Sequence, residues 1–440
     1  MIEGLRNAFR LPDLRNKILF TLMVLVVYQF AAHVPVVGVD GNALRNLIQG
    51  QSGGLIGVLN LLSGGALQNF SVIANGVYPY ITAQIILQVL TPVIPRLEEL
   101  SKEPGGREKI ENYTYYLAIP IALLQTISQI QIFNTLGGTP IIPGFGTANI
   151  LLTVTVMVTM TAGTLFAVWL GKQISEQGIG NGLSIIIFSG IVARAPENLI
   201  QLMNGSTHAA FNLIAFIVIT LISIIGIVII QEGVRRIPVQ YGKRVRGRKQ
   251  YGGASTHIPL KVNSVGMIPL IFAQSIITFP ALIVNLFPDG PVRQSVTNTF
   301  GNQQGGAYWL TFFALVVGFT FIYSEIMVGN QNLAENLQRN GGFIPGIRPG
   351  KNTQSYISRV TRRITLVGAL FLGIVAILPG IMGFVLTVLF PNEQLLNSVA
   401  SNPALVLSGS GLIIVVGVVI DTMRQLEAQL VMRNYDRFIR

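Results

Sequence analysis

Histidines, carboxylates and glycine–lysine pairs are where this 440-residue chain could do chemistry, and their spacing excludes most of it. His33, His208 and His257 are scattered, at no spacing that would gather them around a metal. Gly242–Lys243 is the nearest approach to a phosphate loop. Arg244 follows where Ser or Thr would be needed on the cation, and the upstream glycines are misplaced. No serine elbow and no paired catalytic acid presents itself, and the absence of cysteine removes thiolate and disulfide chemistry. The chain reads as a non-enzyme that needs no cofactor and no metal.

What remains is patterned charge. Half of the residues are apolar and only 11% are charged, far below a soluble domain, yet the net charge is +12. Ten apolar stretches are expected to span a membrane, near 18–34, 72–94, 115–136, 150–171, 183–203, 211–230, 264–287, 307–329, 364–390 and 405–423. Of the 30 Lys and Arg residues, all but Arg45, Arg194 and Arg293 fall in alternate segments. That asymmetry places both termini and the 231–262 and 330–363 loops in the cytosol. Ile2, Leu5 and Phe9 stand at helical spacing, so the 1–17 segment reads as a short amphipathic surface helix with no cleavable leader.

Ten spans divide as five plus five. An odd number per half inserts the second half upside down, the inverted-repeat plan with a central site. The expected fold is therefore an all-α integral membrane protein of two inverted five-helix halves, 18–203 and 204–423, with a cytosolic tail at 424–440. One apolar stretch is too short to cross. Residues 52–65 place a few apolar residues between Gly53–Gly54 and Gly64–Gly65, enough for about 12 Å of helix. It is either a surface or interfacial segment, or backbone at membrane depth buried inside protein. No carboxylate sits at the middle of any expected span, and Glu325 and Asp421 lie towards cytosolic ends. Ion-coupled carriers usually place ionisable groups at mid-membrane, so this pattern argues against one.

Several strings resemble the SecY family, the large subunit of the bacterial protein-conducting channel. They are GGLIGVLNLLSGGALQNFSVIANGVYPYITAQIILQVLTP (54–92), EQGIGNGLSIIIFSGIVA (176–193), PLKVNSVGMIPLIFAQSIITFP (259–280), GGFIPGIRPGKNT (341–353) and, more weakly, LIIVVGVVID (412–421). They cover nearly the whole chain in the family's order. The resemblance implies a clamshell of two halves with a lateral gate open to lipid. The 54–70 segment then becomes a re-entrant plug helix carrying Leu55, Ile56, Val58, Leu59, Leu61 and Leu62.

By the same resemblance, Ile81, Ile85, Ile187, Ile191, Ile271 and Ile414 form a pore ring. Two pairs stand four apart on one helix face, and isoleucine is stiff at χ1. An aliphatic constriction stops ions and water by dewetting. Gln84, Gln88, Gln274 and Ser275 fall on the implied lateral gate, and Pro269 and Pro280 are expected to kink the seventh span. Arg235, Arg236, Lys243, Arg244, Arg246, Arg248 and Lys249 lie on a loop whose alternation and glycines suggest a protruding hairpin. Seven cations in 15 residues suit rRNA phosphates or the acidic face of a motor. Arg348 stands between prolines and glycines, and the resemblance implies that it is the residue most tied to a motor.

The implied activity is passage of unfolded secretory preproteins across the bacterial plasma membrane, with lateral release of membrane segments into the lipid bilayer. The implied partners are SecE-like and SecG-like small subunits, a SecA-like motor ATPase and the ribosome. A ten-span solute carrier would share the topology but not the two protruding basic loops. A ribosome-recruiting scaffold or insertase is a third possibility, and would not leak ions if the plug were shortened.

Overall fold

The computed structural model describes residues 11–44, 63, 66–137, 140–146, 149–204, 209–241, 244–246, 249–251, 255–263, 265–284, 287, 290–301, 305–330, 333–389 and 403–439. The six apolar plug positions, Lys243, Arg248, His208 and residues 1–10 of the expected 1–17 surface helix lie outside them, and residues 12–17 of that segment are instead continuous with the first long helix. Helices dominate. Among the described residues, five helices are long and apolar enough to cross a membrane, within Pro12–Ala32, Gly106–Asn134, Ile150–Gln177, Gly306–Ile326 and Lys351–Leu378. A bent pair counts as a sixth, and Gly182–Ala193, Thr220–Glu232 and Ile268–Val284 are apolar but shorter.

The first helix, α1 (Pro12–Ala32), buries Thr21, Val24, Tyr28 and Ala32 along one stripe and exposes Leu22, Met23, Val26 and Phe30 on the other. A helix apolar all round with one buried stripe is what lipid on the other side permits. The next expected span, 72–94, is not helical throughout. Its helix, α2 (Tyr78–Leu90), has only 13 residues, and the preceding stretch to Val77 is a run of buried turns with Gly76 at φ +57°. Backbone at that depth survives because protein surrounds it. Ser71, Ile73, Ala74, Asn75 and Val77 are all fully buried, and Asn75 Nδ2 donates to Thr126 Oγ1 at 2.8 Å.

Gly163 makes room for those turns. A Cβ there would lie 1.8 Å from the Val72 carbonyl oxygen, so only glycine lets helix α5 (Ile150–Gln177) pass so close. After α2 the chain turns through 101° into α3 (Pro95–Lys102), whose proline starts the new helix where no N–H partner is lost. Then come α4 (Gly106–Gly137), α5, α6 (Gly182–Asn204) and α7 (Ala209–Glu232).

The expected hairpin is present. Strands β1 (Val234–Tyr241) and β4 (Ser255–Lys261) pair antiparallel from Val234 opposite Lys261 to Gln240 opposite Ser255. A smaller hairpin, β2 (Arg244–Arg246) with β3 (Lys249–Tyr251), continues it. Helices α8 (Ile268–Val284), α9 (Pro291–Val296), α10 (Gly306–Asn330) and α11 (Leu333–Arg339) follow. A two-residue strand, β5 (Gly342–Phe343), joins the free edge of β1, giving the order β4-β1-β5.

Two expectations need correction here. Pro269 is the second residue of α8, where a proline fits the first turn, so Pro280 alone interrupts that helix's interior. The loop expected over 330–363 is helical from Lys351 onward. It forms the start of α12 (Lys351–Leu389), a 39-residue helix about 58 Å long, and α13 (Pro403–Ile439) closes the chain.

Candidate functional site

The ring isoleucines come from four helices: Ile81 and Ile85 from α2, Ile187 and Ile191 from α6, Ile271 from α8 and Ile414 from α13. Five are between 1% and 5% exposed and share the largest apolar cluster, and half-buried Ile191 packs against it. Side chains distant in sequence therefore belong to one apolar cluster drawn from several helices. The six offer no polar group that could bind a substrate by hydrogen bonds.

Around the cluster runs a seam where α2 and α4 meet α8 and α10. Tyr78 Oη donates to the Ser275 carbonyl at 2.7 Å, and Ser128 Oγ to that of Leu282 at 2.5 Å. Gln274 Nε2 donates to Tyr308 Oη at 3.3 Å, and Gln88 bonds the Tyr323 hydroxyl. The four gate positions thus divide. Gln88 and Gln274 make side-chain bonds within or across the seam. Ser275 takes part through its carbonyl, and its buried hydroxyl has no partner among the described residues. Gln84 is exposed on α2. The partners Tyr78, Ser128, Tyr308 and Tyr323 carry no sequence signal, because a tyrosine or serine in an apolar span reads alike whichever face it occupies.

At the end of the stretch assigned to the plug, Ser63 is buried. Its carbonyl accepts from Tyr28 Oη at 2.7 Å, and its Oγ accepts from the Leu67 amide at 3.2 Å. Leu67 and Phe70 are fully buried, Phe70 edge-on to Phe133 at 5.3 Å.

The two basic loops form one platform. Ile237 and Val239 of β1, Leu260 of β4, Leu337 of α11, Ile344 and Ile357 make a small core of their own. Ile347 packs on its edge, so the Phe343–Gly350 turn is anchored on both sides of its bend. Arg348 stands exposed between Gly346 and Gly350, which adopt left-handed φ of +79° and +99° that favour glycine. Its carbonyl accepts from Thr353 Oγ1 at 3.0 Å. Arg235 and Arg236 are exposed on β1. Arg244 and Arg246 on β2 and Lys249 on β3 extend the basic run along the second hairpin, with Arg246 opposite Lys249.

The platform's root is tied to two helices, α7 and α13. Arg424 of α13 donates to the Gln231 carbonyl at 2.8 Å and Glu232 Oε1 at 2.9 Å. Asn263 Nδ2 reaches Gln231 Oε1 at 3.3 Å, while its Oδ1 accepts the Val265 and Gly266 amides. Burial and the Arg424 guanidinium hold the Lys261 ammonium below its ordinary value. Asn263 was not singled out from sequence: an asparagine before an apolar run can signal an Asx turn, but nothing marks it as a link to α7.

A buried apolar cluster, a hydrogen-bonded seam and a basic platform on long apolar helices define a helical membrane protein, and similarity to known proteins narrows the class. A SecY family profile matches residues 71–423. "Protein translocase subunit SecY" of Halalkalibacterium halodurans is 41% identical over 454 residues, covering all of both chains. The Thermus thermophilus protein of the same name is 38% identical, covering all of this chain and 98% of its own. The chain belongs to the SecY family of protein-translocase channel subunits, multi-pass proteins of the bacterial plasma membrane and not enzymes.

Solved structures agree on the fold. One described as the structure of a protein conducting channel superposes with TM-score 0.61 at 16% identity, covering 95% of this chain and 93% of its own. Sec61 in a canine ribosome–channel complex superposes with TM-score 0.59 at 15% identity, with the same coverage.

Proposed function

We propose that this chain forms a plug-gated pore for unfolded preproteins. Its ten spans stand in two inverted halves, over 18–203 and 204–423, with both termini in the cytosol. The single observation that carries the reading is convergence of Ile81, Ile85, Ile187, Ile191, Ile271 and Ile414 from four helices on one apolar cluster. An aliphatic collar excludes ions by dewetting yet yields to any passing side chain, since it makes no specific bonds. The 54–70 stretch is the plug. The bonds of Ser63 to Tyr28 and Leu67 support a closed arrangement that the glycine-flanked part leaves when it swings.

The seam is the lateral gate. Its polar bonds are few, and in a membrane each is worth about 0.6–2 kcal/mol, an amount an entering apolar signal segment can replace. The platform docks the ribosome and a SecA-like motor. Arg235, Arg236 and Arg348 supply exposed positive charge, and the shared small core makes the two loops one rigid body. SecE-like and SecG-like subunits complete the complex against the lipid-facing helices.

Deleting residues 57–66 tests the reading. In proteoliposomes held without substrate, the deletion should raise ion conductance above that of the parent chain while translocation persists. Unchanged conductance, with the complex intact, would leave a ribosome-recruiting scaffold as the better account.

A further inference from the structure

Past its ring isoleucine, α13 presents two faces, and each grips a different part of the molecule. Gly417, Asp421 and Arg424 stand four and three apart on one of them. A Cβ on Gly417 would lie 3.3 Å from Met267 and 3.5 Å from Gln231 Nε2, so α13 passes close to the start of α8 and the end of α7. Asp421 lies beside Gly266, and Arg424 Nη2 donates both to the Gln231 carbonyl and to Glu232. Glu232 is the last residue of α7, and β1 begins at Val234, so this face holds the root of the docking platform.

The other face carries Met423, Leu426 and Leu430, three and four apart. Met423 and Leu426 are buried with Leu14 of α1 and Ile179 of the α5–α6 loop, in an apolar cluster separate from the ring's. Gly180 of the same loop donates its amide to Gln425 Oε1 at 2.9 Å, across 245 residues of sequence. The Ile179 amide donates to Thr21 Oγ1 at 3.3 Å, so the loop is fixed to α1 and α13 at once. Ile187 of the ring comes seven residues after Gly180, and Ile414 ten residues before Arg424, about 15 Å along the helix. The seam's bonds named above run between α2, α4, α8 and α10. This contact therefore joins the two halves through elements that those bonds do not use.

We propose that Arg424 is a positioning residue that carries movement of the docked platform to the pore ring, an inference that rests on the channel reading above. Coupling between distant sites travels through packed side chains and hydrogen bonds of rigid elements. Arg424 holds α13 to the platform root, while Met423, Leu426 and Gln425 hold the same turn to the loop that leads into α6. A tilt of β1 and β4 on docking shifts Ile414 directly and Ile187 through Gly180. Two of the ring's four helices then move together. A guanidinium suits the task, since it stays charged and can bond a carbonyl and a carboxylate side by side.

The full chain is reconstituted in proteoliposomes with its small subunits, and precursor import is measured against motor concentration. Arg424→Met should lower the maximal rate about three- to tenfold, as loss of a hydrogen bond from a charged group does, with the half-saturating motor concentration unchanged. Arg424→Lys keeps a charged donor and should recover most of the rate. Gln425→Leu should lower the rate less, its bond being exposed. The double variant Arg424→Met, Gln425→Leu should be no slower than Arg424→Met alone, because two links in series fail together. A parental maximal rate in Arg424→Met, or equal losses in the Met and Lys variants, would overturn the proposal. So would a half-saturating concentration raised in proportion to the loss, which would make Arg424 part of the docking surface. A double variant as slow as the product of the two singles would overturn it too. A parent chain that moves no precursor would sink the channel reading and this inference with it, a result distinct from a normal parent beside an unaffected variant.

Discussion

The Tyr78 hydroxyl donates to the Ser275 carbonyl at 2.7 Å, across 197 residues of sequence, and so links the start of α2 to the middle of α8. Both groups are buried, and both helices carry ring isoleucines within a turn of the bond: Ile81 on one, Ile271 on the other. In the proposed channel, opening the seam at this point would widen the ring in the same motion.

Tyr78→Phe keeps the ring's packing and removes the bond. The closed state should lose about 0.6–2 kcal/mol, a shift of about three- to thirty-fold towards open. Translocation of precursors with weakened signal sequences should rise accordingly. An unchanged rate for those precursors would mean that this bond does not hold the gate.

In the proposed channel the ring's seal would depend on being apolar, more than on any one shape. Ile187→Ser should let water enter and raise resting ion conductance. Ile187→Val, costing about 0.5–1.5 kcal/mol of stability, should keep the seal. Bilayer conductance of the two variants side by side checks this. Equal conductance would place the constriction elsewhere.

Arg348 is exposed and held on a turn anchored by Ile344 and Ile347. Arg348→Glu should change thermal stability by no more than about 0.5 kcal/mol while abolishing motor-driven translocation. Arg236→Glu, also exposed, should weaken ribosome binding in a salt-dependent manner, as loss of a phosphate contact does. Binding isotherms at two salt concentrations and a melting curve separate docking from folding.

Gly163→Ala brings a methyl to within 1.8 Å of the Val72 carbonyl, backbone against backbone. Overpacking of this kind costs about 1–3 kcal/mol, so the melting temperature in detergent should fall. The turns at 71–77 should shift with it, and precursor crosslinks near Ile81 should weaken. A neutral substitution would mean that α5 can stand off without loss.

Hydropathy and the lopsided distribution of Lys and Arg made the membrane class legible, because bilayer thickness and membrane charge act on every span alike. The β1–β4 hairpin was legible from its glycines and its alternation about Ile237 and Val239. The six ring positions came from family strings alone, because isoleucine in a span has no distinguishing property of its own. The non-helical entry to α2 was hidden because buried turns of Ile, Ala and Val have the hydropathy of a helix. The union of the two loops through β5 was hidden too, since a pairing of two residues leaves no periodicity. The seam's bonds escaped for a third reason. Tyr78 and Ser128 donate to carbonyls, and every residue has one.

The chain contains no cysteine, so a single one reports without background. Ile85→Cys, and separately Leu221→Cys on the exposed face of α7, can each be oxidised against a stalled precursor bearing its own cysteine. A protein-conducting ring predicts a crosslink at 85 and none at 221, with motor and small subunits present. Precursor that reaches the lumen without ever crosslinking at 85 would contradict it.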